Sequence, residues 1–104
     1  VTGIRAEKGI YFSRMELQKT YIISNELGLH ARSAAKIVEL AGKFDARLYL
    51  GKDGSEVDGG SILSILTLAC PKGTEVTVRV QGKDAKAFME KLGELFEQNF
   101  GESQ

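Results

Sequence analysis

Apolar and polar positions along this 104-residue chain fall into seven segments of regular period. The first, "KTYIIS" at Lys19–Ser24, is β-branched and aromatic and predicts a strand. From His30 to Phe44 the period becomes helical, with Ala34, Ile37, Val38 and Ala41 on one face and Lys36 and Glu39 on others. Gly42 is expected to close that helix, since glycine adopts the left-handed conformation of a C-terminal cap. Phe44, Ala46, Leu48 and Leu50 then alternate with Asp45, Arg47 and Tyr49, the mark of a half-buried strand. Asp53-Gly54 predicts a hairpin turn, and "SEVDG" a return strand. Ser61 follows two glycines and precedes "ILSILTL", where Ile62, Ile65 and Leu66 recur at helical spacing. That placement predicts a helix with Ser61 as its cap. Pro71 and Gly73 mark a loop before "TEVTVRVQG", which sets Val76, Val78 and Val80 on one strand face. Asp84 opens a last helix with an apolar stripe of Phe88, Leu92, Leu95 and Phe96.

The order strand, helix, strand, strand, helix, strand, helix predicts an α/β (α+β) fold. It is a two-layer open-faced sandwich, βαββαβα, with a four-stranded, mostly antiparallel sheet and three helices on one face. The chain is long enough for one domain, expected over residues 15–104. Residues 1–14 lack a clear period and are followed by Met15. Two readings of them stand side by side: a non-native extension, or an arm that covers part of the domain with Ile10, Tyr11 and Phe12.

Fourteen basic and fourteen acidic side chains leave no net charge, and the basic excess that a nucleic-acid binder uses on phosphates is missing. "SILSILTLAC" is far shorter than the roughly 20 apolar residues of a membrane span. One cysteine, Cys70, allows no intramolecular disulfide, and one histidine beside it leaves too few ligands for a structural zinc site. A cytoplasmic protein is expected. Cys70 reads as a semi-buried structural residue, and Asp53, Glu56 and Asp58 as a solvated hairpin.

The single histidine, His30, stands in "NELGLHARSAA" at the start of the first predicted helix. A helix N-terminus leaves amide N–H groups without intrahelical partners, and its dipole favours an anion. Gly28 lets the chain turn and approach closely. Arg32 carries a planar, permanently charged fork that suits a phosphate. An imidazole nitrogen is nucleophilic at neutral pH. From the residues alone, a phosphoryl site on His30 competes with a plain surface or capping histidine.

"GLHARSAA" resembles the active-site signature of the histidine-containing phosphocarrier (HPr) family of bacterial phosphoenolpyruvate:sugar phosphotransferase systems. The order of elements from about Glu16 to Gly101, "GGSILSILTLA" and "KGTEVTV" are similar to that family too. The resemblance implies that His30 takes a phosphoryl group on Nδ1 from Enzyme I and passes it to IIA domains of sugar permeases, with Arg32 stabilising the phosphate. The protein would then be a monomeric relay component rather than a free-standing enzyme, with no metal, no organic cofactor, no membrane insertion and no nucleic-acid partner. Ser33 departs from the pattern, where the family usually has proline. Proline suits a first helical turn because its missing N–H costs nothing there and its φ is already set. Serine restores a donor and is expected to loosen that turn while adding a hydroxyl to the anion site.

Ser61 matches the position that HPr kinase phosphorylates in many family members. Ile62, Leu63 and Leu66 match the family's exposed contact patch, while Ile65 and Leu68 are expected in the core. A small apolar patch suits brief encounters with several partners. Two alternatives to a sugar-feeding carrier remain: a regulatory binding module, and a paralogue in a nitrogen-related phosphorelay.

Overall fold

The strand with the cleanest alternation occupies the interior of the sheet, where one face meets the helices. The computed structural model describes residues 15–102, so both readings of residues 1–14 lie outside it. Its elements run β1 (Glu16–Ile22), α1 (Ala31–Ala41), β2 (Arg47–Lys52), β3 (Ser55–Asp58), α2 (Ile62–Thr67), β4 (Glu75–Gln81) and α3 (Ala85–Glu97). A short 3-10 turn, Asn99–Gly101, follows. The sheet order is β1-β4-β2-β3, and every pairing is antiparallel. The fold is the expected open-faced sandwich.

Register explains why one face is apolar. Leu17 and Leu48 both lie opposite Val80, and Leu50 lies opposite Val78. Val76, Val78, Val80, Leu48 and Leu50 are therefore buried together, against Ala34 and Ile37 of α1, Ile65 of α2 and Phe88 and Leu92 of α3. Leu68 joins this core as expected. The Asp53-Gly54 turn has φ of 51° and 85°, positive at both central residues, as a tight hairpin requires.

Several local expectations are corrected. Gly42 does close α1, but with φ −68° and ψ −11°, not in the left-handed region. The chain leaves the helix through tightened turns, Lys43 N–H to Leu40 O and Phe44 N–H to Ala41 O, so no reversal of handedness is needed. β1 starts at Glu16, earlier than its apolar run, because main-chain pairing with β4 continues to Gln81. β2 starts only at Arg47: Asp45 N–H donates to Asp84 Oδ2 at 2.6 Å and Asp84 N–H to Asp45 O at 3.1 Å, which pulls the entry out of the sheet. Phe44 still contributes, stacked on Phe88 at 5.1 Å.

Cys70 is fully buried rather than semi-buried, and burial pushes its thiol pKa up, with Lys52 pulling weakly the other way. A thiol held protonated is a poor nucleophile, which suits a packing role. The hairpin is also less bland than its composition implied. On the open face of the sheet, the Arg79 guanidinium donates to both carboxylate oxygens of Glu56, at 2.9 and 2.8 Å, and lies 4.3 Å from the Tyr49 ring centroid. The bond from Arg79 holds the Glu56 carboxyl below its ordinary range, against the smaller effect of burial.

Candidate functional site

His30 is the N-cap of α1, with extended backbone at φ −122° and ψ −175°. Its ring turns back over the helix end, and Nδ1 accepts the Arg32 N–H at 3.3 Å. The cap is reciprocal, since His30 N–H donates to Ser33 Oγ at 2.9 Å. Ser33 is fully buried, and its hydroxyl also reaches the carbonyls of His30 at 3.1 Å and Gly28 at 3.3 Å. This is the geometry of a capping box, which stitches the loop to the first helical turn, so Ser33 tightens the turn that serine was expected to loosen, and its hydroxyl faces the loop carbonyls. The first main-chain bond of the helix comes only from Ala34 N–H to His30 O, at 2.8 Å. The amides of Arg32 and Ser33 thus have no main-chain acceptor and are capped by the His30 side chain, at the positive end of the helix dipole.

Gly28 fixes how the loop reaches this point. Its φ is +69°, and a Cβ there would lie 2.4 Å from Cys70 O and 2.7 Å from Pro71 Cα. Only glycine permits that approach, which lets Leu29 N–H donate to Cys70 O at 2.8 Å. The loop is thereby pinned to the segment that follows α2.

Two residues that the sequence did not single out complete the site. Glu102 Oε2 faces His30 Nε2 at 2.5 Å, and its Oε1 accepts from Asn25 Nδ2 at 2.9 Å. Asn25 is buried and donates to Gly28 O at 2.8 Å as well. Burial of Glu102 raises its pKa, but the hydrogen bonds from Asn25 and His30 and the charges of His30 and Arg32 outweigh it, and the net direction is down. A carboxylate only accepts, so the nitrogen facing it carries the proton. Nε2 is therefore the protonated atom, and the Nδ1 lone pair points at the amides. The assignment agrees from both ends of the ring.

The chain reaches Glu102 through a sharp reversal after α3. Asn99, Phe100 and Gly101 all have positive φ. Phe100 is buried, edge-on to Phe96 at 5.0 Å, and Lys36 Nζ donates to its carbonyl at 2.5 Å. No periodicity announces such a segment, and 72 residues separate Glu102 from His30.

Arg32 is exposed and shares with Glu26, Leu27, Lys36, Gly101 and Glu102 a shallow depression beside the histidine. His30 keeps 28% of its side chain exposed and Glu102 11%. Ser61 caps α2 as predicted, its Oγ accepting Ser64 N–H at 3.2 Å. Ile62 and Leu63 are exposed, Leu63 at 76%, whereas Leu66 is half-buried against the core. Leu27, at 71%, is a further exposed apolar residue that the sequence reading passed over. Among the described residues no helix is long and apolar enough to cross a membrane.

An accessible imidazole at a helix N-terminus, with Nε2 against a carboxylate and Nδ1 capping first-turn amides, is an arrangement able to present a ring nitrogen to an anionic group. The comparisons with known proteins identify the kind. The PTS-HPr family model, described as the PTS HPr component phosphorylation site, matches residues 17–98. A phosphocarrier protein HPr of Xylella fastidiosa is 42% identical over 86 residues, covering 83% of this chain and 97% of the relative. Among solved structures, HPr-C-His from Thermoanaerobacter tengcongensis superposes with a TM-score of 0.81 at 35% identity, covering 85% of this chain and 99% of that one. A structure titled as an HPr dimer from the same organism gives 0.67 at 36% identity, covering 79% and 94%. The chain belongs to the HPr family, and it is a phosphoryl carrier of the phosphotransferase system.

Proposed function

We propose that His30 is the residue that carries the phosphoryl group, on Nδ1. One observation carries this reading: Nδ1 faces first-turn amides of α1 that have no main-chain acceptor, with Arg32 N–H at 3.3 Å, while the Glu102 carboxylate faces Nε2. The Nδ1 lone pair attacks the phosphorus of the donor, the new N–P bond forms, and the donor's own bond to phosphorus breaks. The Nε2 proton stays on the ring, and the Glu102 carboxylate offsets the positive charge the ring acquires. The phosphoryl oxygens then accept from the helix amides and from the Arg32 side chain, whose long stem lets it reach a group standing off Nδ1. This is nucleophilic displacement that needs positioning more than proton transfer.

The donor in this reading is Enzyme I charged by phosphoenolpyruvate, and the acceptors are IIA domains of sugar permeases, with the exchange taking place in the cytoplasm. Exposed Ile62 and Leu63, with the accessible part of Leu66, supply the apolar contact. Ser61 is the regulatory position, where a phosphoserine from a dedicated kinase adds about two negative charges beside Ile62 and Leu63. Both modifications are read in one assay. The chain is incubated with Enzyme I and phosphoenolpyruvate, and separately with HPr kinase and ATP, and the labelled residue is mapped by mass spectrometry. Acid-labile label on His30 and acid-stable label on Ser61 are expected. A chain that takes no label from Enzyme I overturns the carrier role of His30. Absence of label from the kinase overturns only the role of Ser61.

A further inference from the structure

We infer that the Ser33 main-chain N–H donates a hydrogen bond to the phosphoryl group carried on His30, so that the anion site of α1 is built from the consecutive first-turn amides. The inference rests on the reading of His30 as the phosphorylated residue and adds a positioning group to it. Three observations meet at Ser33. Its N–H has no main-chain acceptor, because the helical ladder begins with Ala34. The cap geometry directs that N–H, with the N–H of Arg32, at the His30 side chain. Its side chain, fully buried, fixes the orientation by accepting from His30 N–H at 2.9 Å and lying against the carbonyls of Gly28 and His30.

The consequence follows from what Nδ1 does before and after the transfer. In the unmodified protein the Nδ1 lone pair is the acceptor that these amides face. Once it forms the N–P bond it accepts nothing, and the amides need a new partner. The phosphoryl oxygens stand in that direction and carry the charge that an N–H at a helix N-terminus favours. A proline at position 33 would keep the helical turn but remove this donor, and it would also remove the hydroxyl that ties the turn to the loop. Serine makes the site richer by one donor, held at the angle the capping box sets. One charge-assisted hydrogen bond of modest strength corresponds to about a tenfold change in an equilibrium constant.

The test follows backbone amides by 1H–15N NMR during phosphorylation by Enzyme I and phosphoenolpyruvate, and measures the equilibrium level of phosphohistidine in two variants. The Ser33 amide proton is expected to move strongly downfield together with that of Arg32. Ser33→Ala keeps the N–H and loses the hydroxyl, and is expected to lower the transfer equilibrium less than about threefold; Ser33→Pro is expected to lower it about tenfold. Urea melts of both variants separate loss of fold from loss of the donor. A wild-type Ser33 amide that stays in place while His30 is phosphorylated overturns the inference, as does an equal loss in the two variants. Wild-type protein that takes no label overturns the reading of His30 instead.

Discussion

Replacing Glu102 with glutamine tests the part of the site least visible in the sequence. The carboxylate makes two hydrogen bonds, to His30 Nε2 at 2.5 Å and to Asn25 Nδ2 at 2.9 Å. A bond to a charged group is worth roughly 1.5–3 kcal/mol when fully buried. Water reaches this one, with His30 28% and Glu102 11% exposed, so the lower end applies. Glutamine keeps the shape and one acceptor but loses the charge, for a net cost of about 1 kcal/mol in stability. A bias of that size moves the ratio of the two imidazole tautomers by about fivefold. Tautomers are read from two-bond 1H–15N couplings of the labelled ring, at alkaline pH where imidazole is neutral. Wild type is expected almost wholly as the Nε2–H form, and Glu102→Gln with a measurable Nδ1–H fraction and correspondingly slower phosphorylation. The pH dependence has a definite sign. The folded pKa of Glu102 lies below its ordinary 4.5, so its contribution is fully present above that value and is lost as pH falls through the folded pKa. Glu102→Gln should therefore lose less stability than wild type on acidification. Identical tautomer ratios and identical urea midpoints in the two proteins would refute the argument.

Two further substitutions probe the supports of the site. Gly28→Ala forces φ +69° on a residue with a Cβ, at about 1–2 kcal/mol, and drives that Cβ into Cys70 O. Thermal unfolding should shift down, and the Leu29 amide should exchange faster with solvent; an unchanged Leu29 protection factor would show that the close approach is not what holds the loop. Phe100→Ala removes the buried ring that anchors the reversal after α3, at about 3 kcal/mol, the low end for such a cavity because a short 3-10 turn outside the sheet can relax. Denaturant melts should show that loss together with the tautomer shift of Glu102→Gln, and a normal tautomer ratio would mean that Glu102 finds His30 without Phe100.

How much of this was legible beforehand follows from how far each feature reaches along the chain. Val76, Val78 and Val80 reveal their strand because burial repeats every second residue, and Phe88, Leu92 and Phe96 reveal their helix in the same local way. Gly28, His30, Arg32 and Ser33 could be read because the whole N-terminal cap lies within six residues. Glu102 could not. It meets His30 only because Phe100 fills a gap in the core, Lys36 holds its carbonyl, and three residues in a row take positive φ. None of those contacts has a period. Glu56 escaped for the same reason: its partner Arg79 sits two strands away across the sheet, and an alternating charged hairpin reads as solvent-facing whether or not a guanidinium waits opposite.

The division between local and distant parts matters for a carrier, which must hold its phosphoryl group firmly and still release it. Donors on α1 belong to a regular helix whose buried face, Ala34 and Ile37, lies in the core, so their backbone is already in place for a phosphoryl group on His30. Glu102 belongs to the segment after α3, tied through Phe100 and the side chains of Asn25 and Lys36. On the reading of His30 as the phosphorylated residue, the rigid half receives the dianion and the tethered half balances the ring that bears it. Stabilisation by the amides favours the charged state, while the carboxylate, which repels the incoming phosphoryl oxygens, opposes too deep a well. A relay works when neither dominates. Ser33 adds a donor to the first half and leaves the second untouched, so on this reading its N–H shifts the balance toward holding the phosphoryl group.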